Sequence, residues 1–138
     1  MVATRRHVVL TAALVAAASA LAPARPALAD ARDISVGGVY ICTITHDVPG
    51  YTSYERAKQA NQRITTVLSS PQFYNGGKVV VNQFGAAATV SVGNILIFTV
   101  VPADVEPTNE TTFDLAKTWA QRLAHGLGVA MPGAEFHF

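Results

Sequence analysis

Residues 94–101, Asn-Ile-Leu-Ile-Phe-Thr-Val-Val, form the most apolar unbroken run after the N-terminal segment. The run is too short to cross a bilayer, which takes about 20 residues. Its β-branched and aromatic side chains favour a strand over a buried helical turn. Successive strand residues point to opposite faces, so a strand apolar at both parities needs cover on both sides. The remaining elements therefore have to pair with this strand or lie on it.

The first 29 residues are expected to stand apart. Arg5 and Arg6 precede an apolar run over 8–22, Pro23 and Pro26 interrupt it, and Ala27-Leu28-Ala29 makes a small-x-small step before Asp30. This is the pattern of a cleaved signal peptide, with an uncleaved anchor as the alternative. Thr4-Arg5-Arg6-His7-Val8-Val9-Leu10 also resembles a twin-arginine export signal, against an ordinary secretory leader that contains two arginines. The expectation is a signal peptide over 1–29 and a single domain over 30–138, exported to the periplasm or beyond.

Seven of the ten basic residues and all nine acidic ones lie at or after Asp30, so that part is net −2. The +1 of the whole chain comes from the leader, and no nucleic-acid or anionic-membrane partner is expected. Cys42 is the one cysteine, which excludes an intramolecular disulfide and leaves stability to an apolar core. Its neighbours Tyr40, Ile41 and Ile44 offer nothing to activate a thiolate, so it reads as a small buried hydrophobe.

Along the domain, a strand is expected over 34–45, with Gly37-Gly38 as a bend or bulge near its start, and a turn at Pro49-Gly50. Thr52 followed by Glu55 is a capping box, which predicts a helix over 53–69 that stops before Pro71. Ala57, Ala60, Ile64, Val67 and Leu68 share its apolar face, with Arg56, Lys58 and Arg63 mostly on the remainder as a solvated or partner-binding cluster. Strands follow over 78–84 and 87–92, and Gly93-Asn94 joins the latter to the apolar run as a two-residue hairpin. In that register Val92, Val90 and Ala88 oppose Ile95, Ile97 and Thr99. Leu96, Phe98 and Val100 then form a second apolar face with no assigned cover, which a central position in the sheet or a second layer on the far face would explain. Residues 102–110 read as an acidic loop, 112–125 as a helix with Gly126 or Gly128 as its cap, and 129–138 as a loose tail.

The predicted fold is α+β: a two-layer sandwich with a sheet of about four mostly antiparallel strands and two helices on one face, in the order β-α-β-β-β-α.

Candidate chemistry is sparse. His46-Asp47 is a base-and-carboxylate pair in a turn, with no Ser, Cys or further His spaced to complete a triad. Proximity to Asp104 or His125 in a concave pocket would favour a catalytic reading. His125 and His137 have no metal-ligand spacing. Asp104, Glu106 and Glu110 do not follow a calcium-loop pattern. Asn109-Glu110-Thr111 matches a glycosylation sequon and reads as coincidental helix-entry polarity. No catalytic residue, metal or cofactor is assigned.

Several stretches together resemble a known module: Tyr54-Glu55-Arg56-Ala57, Arg63-Ile64, Asn94-Ile95-Leu96-Ile97 with Asp104, Leu115-Ala116, and Trp119-Ala120-Gln121-Arg122-Leu123. They are similar to the small extracytoplasmic domain ahead of the membrane segments in some bacterial mechanosensitive channels of the small-conductance type. The resemblance implies a sensor-like or accessory module and brings no catalytic residue. Channel activity does not carry over, because no stretch after the leader is long enough to span a bilayer. Val105 also stands where such domains often have alanine.

The functional expectation is an exported, non-enzymatic binding domain of the cell envelope, with an envelope protein or small ligand as partner. The uncovered face of Leu96, Phe98 and Val100 is its candidate partner or homodimer surface. The alternative is a small exported hydrolase or metal-dependent enzyme built on His46 and Asp47.

Overall fold

The computed structural model describes residues 31–138. The leader expected over 1–29 lies outside the described residues. The fold is α+β. In chain order it comprises β1 (Asp33–Val36), β2 (Val39–Thr43), α1 (Ser53–Ser69), a 3-10 turn (Pro71–Phe73), β3 (Gly76–Phe84), β4 (Ala87–Val92), β5 (Ile95–Val100), α2 (Pro102–Val105), α3 (Thr112–Ala130) and β6 (Glu135–His137). The larger sheet has the order β5-β4-β3-β6, antiparallel except for the β3–β6 pair, and β1 and β2 form a separate two-stranded sheet.

The single strand expected over 34–45 is instead this β1–β2 hairpin. Gly37 and Gly38 have φ of 59° and 78°, the two positive angles that a tight two-residue hairpin turn requires. The register then slips: Ser35 faces Tyr40, but Ile34 faces Cys42. The extra residue, Ile41, lets both Ile41 and Cys42 turn inward, and both are buried. Arg122 Nη1 donates to the Ile41 carbonyl at 3.0 Å, which fixes the irregular backbone to α3.

Helix α1 starts where its capping box placed it. Thr52 Oγ1 accepts from the Glu55 amide at 3.1 Å, and Glu55 Oε2 accepts from the Thr52 amide at 2.8 Å. A cap of this kind is worth about 1 kcal/mol. Ala57, Ala60, Ile64 and Val67 are buried, and the helix lies against β5 and β1.

The register of β5 corrects the expected faces. Val92 pairs with Ile95 and Ser91 with Leu96, but Val90 pairs with Phe98 and Ala88 with Val100. Ile97 is an extra residue opposite Val90, and the bulge reverses the parity beyond it. Phe98 and Val100 therefore point into the core, and Thr99 points out. The Phe98 ring meets Trp119 of α3 edge-on, with centroids 5.4 Å apart. Leu96, Phe98 and Val100 do not form one open face: only Leu96 is exposed.

Helix α3 touches every strand of both sheets. Thr112, Ala116, Trp119, Ala120, Leu123, Gly126 and Leu127 are its buried residues. Gly126 is not a cap, because the helix runs on to Ala130 and ends before Pro132. A Cβ on Gly126 would lie 2.7 Å from the Val36 carbonyl oxygen. Glycine here lets the hairpin cross the helix in backbone contact. The tail is also ordered: β6 runs beside the start of β3, where a Cβ on Gly76 would collide with the Glu135 backbone.

Two substitutions test this packing. Gly126→Ala removes a helical glycine, which alone adds up to about 1 kcal/mol. Crowding against Val36 is expected to outweigh that gain, with a net loss of about 1–2 kcal/mol in urea denaturation. Phe98→Asp puts a carboxylate against Trp119 and is expected to abolish the cooperative unfolding transition followed by circular dichroism.

Candidate functional site

The side chains with chemical potential gather where α1, the end of β5 and the segment after β2 meet. Arg56, in the first turns of α1, faces inward with its side chain 9% exposed. The sequence placed it on the solvated side. Its guanidinium forks onto Asp104, with Nη1–Oδ1 at 3.1 Å and Nη2–Oδ2 at 2.8 Å. Nη1 also donates to the His46 carbonyl at 2.6 Å, and Nη2 to the Thr99 carbonyl at 3.1 Å. One side chain thus ties α1 to the segment after β2, to β5 and to α2.

Asp104 belongs to α2, part of what was expected to be a loop. Pro102 at the helix start and Asp104 two residues later are helix-entry residues, and that was the available signal. Asp104 Oδ2 also accepts from the Val101 amide at 3.0 Å, and its side chain is 4% exposed. A carboxylate buried this deeply needs such partners.

His46 comes close to this pair, its Nδ1 being 3.8 Å from Asp104 Oδ1 and 3.0 Å from Thr45 Oγ1. His46 and Asp104 are thus near one another, but neither they nor Asp47 line the groove beside them, so the arrangement expected of a catalytic site is met in distance only. The remaining groups are committed elsewhere. Asp104 is held by Arg56, and Asp47 Oδ1 accepts from the Ser53 amide at 2.6 Å, at the start of α1. Cys42 is buried, and burial, reinforced by the Asp104 charge, pushes its thiol far above the ordinary range.

Beside the fork lies a groove of about 290 Å³ between α1 and β5. Ala60, Ile97 and Ile44 contribute apolar wall, while Val48, Tyr51 and Leu96 stand nearer the solvent. The polar lining includes Gln59 and Arg63 from α1. Neither side chain makes a hydrogen bond or ion pair with another described residue. Of the three basic residues on this helix, Arg56 is spent on the fork, Lys58 is exposed and Arg63 lines the groove.

The fold also brings His125 and His137 to one shallow depression, together with Glu135. His137 Nε2 lies 3.7 Å from Glu135 Oε2, and both side chains are largely exposed. Among the described residues no three His, Cys, Asp or Glu side chains form a group suited to a metal ion. No described helix is long and apolar enough to cross a membrane. Glu106 and Glu110 remain on the surface.

Removing one partner of the fork leaves a buried charge uncompensated. Asp104→Ala is expected to cost about 3–5 kcal/mol by chemical denaturation, and the double variant with Arg56→Met to cost less than the two single losses combined. The Cys42 thiol is expected to resist iodoacetamide at pH 8 in the native protein and to react fully in denaturant; rapid native labelling would show that the thiol is exposed.

No curated protein matches the chain, and no solved structure matches it either. A family match extends over residues 30–130 and takes in every element except β6. The chain belongs to the family described as a domain of unknown function, DUF8459.

Proposed function

We propose that this protein is a non-catalytic binding module of the bacterial cell envelope, with the groove between α1 and β5 as its binding site. The observation that carries this reading is the groove's composition. An apolar wall is combined with a guanidinium and a carboxamide that have no partner within the described protein. Binding sites for small molecules pair a mainly apolar surface with a few unpaired polar groups in this way. Address in the envelope rests on the leader pattern over residues 1–29. The sensor-like or accessory role implied by the channel-domain resemblance belongs to the same proposal.

One observation favours a hydrolase instead: His46 stands beside Asp104 next to the groove. A carboxylate that orients a catalytic base has to be free to stabilise the charged imidazole. Asp104 is already neutralised by the Arg56 fork and also accepts from the Val101 amide, which favours a role in holding the fold.

Backbone amide shifts of labelled protein, recorded during titration with a small-molecule extract of the envelope, test the two readings. Changes clustered on Ala60, Leu96, Ile97 and Val101, and removed by the groove-filling variant Gln59→Trp, are expected. Changes elsewhere, or hydrolysis of an extract component that His46→Ala abolishes, would contradict the proposal.

A further inference from the structure

We infer that the groove takes a small organic anion, a carboxylate on a short apolar body, with Arg63 and Gln59 as the acid-recognising pair. This rests on the reading of the groove as a binding site and adds the chemical class of its ligand. Arg63 and Gln59 are four residues apart on α1, so they stand one turn above each other on the same face. Both line the groove and both are half-buried. A guanidinium offers two parallel N–H groups that match a carboxylate, and the carboxamide offers a further N–H.

The charge of the site has one sign. The lining includes Arg56 and Arg63 and no acidic residue. Asp104, the carboxylate behind the wall, is consumed by Arg56. Glu55, on the same helix, turns its carboxylate to the Thr52 amide. A neutral or cationic head would leave Arg63 unpaired as it loses water, whereas a carboxylate compensates it. The body of the ligand would lie on Leu96, Ile97, Ala60 and Val48. The groove's 290 Å³ is at the small end of ligand sites, which run from about 300 to 1,000 Å³, and this selects a short chain or a single ring. Arg56 is not the anchor, because four hydrogen bonds already hold it in the wall.

The test compares octanoate, octanol, octylammonium and acetate by titration against the purified protein, followed by backbone amide shifts and calorimetry. Octanoate is expected to bind in the groove, about tenfold or more tighter than octanol, with acetate weaker still and octylammonium excluded. Arg63→Gln, which removes no hydrogen bond of the fold, is expected to keep the wild-type urea midpoint and to reduce the octanoate preference over octanol to less than about threefold. Equal binding of octanol or octylammonium in the groove would overturn the anion class and leave the groove as a binding site. Absence of binding by every probe, or shifts that fall outside the groove, would overturn both.

Discussion

One extra residue in β5 decides how the rest of the molecule is arranged. Ile97 sits in a bulge opposite Val90, and the strand changes parity there. Before the bulge Leu96 faces outward at the groove. After it Phe98 and Val100 turn into the core, where Phe98 meets Trp119. On the open side of this edge strand the Thr99 carbonyl accepts from Arg56. Since β5 is an edge of the sheet, the bulge and the guanidinium also obstruct pairing with a second chain, a common device at exposed edges. Core, groove and ion pair thus share one local irregularity.

Around that strand, α3 supplies most of the remaining burial. It lies between the hairpin and the larger sheet, and the Gly126–Val36 contact lets the hairpin approach its backbone. The 3-10 turn after α1 adds Phe73, whose ring lies against Gly77 and Gly93 and covers two positions without side chains. Close approach between elements is thus made at glycines, against backbone at Gly126 and against the Phe73 ring at Gly77 and Gly93.

Regular periodicity was legible in the sequence; side-chain parity was not. The Thr52–Glu55 box located α1, and the alternation of Ala88, Val90 and Val92 located β4 within the residues later observed. The Gly93-Asn94 turn correctly joined β4 to β5. Bulges leave no periodic trace, so Ile41 and Ile97 have the pattern of ordinary strand residues and the regular register inverts the face of Phe98 and Val100. The Gly37-Gly38 pair, a bend or bulge by its pattern, is the two-residue turn of a hairpin. Arg56 and Asp104 are 48 residues apart, and no local rule joins an arginine on a helix to an aspartate so distant. The groove was illegible for the same reason, because its walls come from separate elements.

The fork gives the proposed site its physical basis. A groove between a helix and an edge strand keeps its shape only if the two are prevented from separating, and a preorganised wall spares the ligand the cost of ordering it. Arg56 holds α1 to β5 and α2 through one buried guanidinium. The most direct measurement of this claim is native-state amide hydrogen exchange on the wild-type protein and Asp104→Asn. The account predicts that the ends of α1 and β5 around the fork open together, with the same free energy, and that the variant lowers both by a similar amount. Opening of α1 independent of β5, or exchange in both unchanged by the variant, would contradict it.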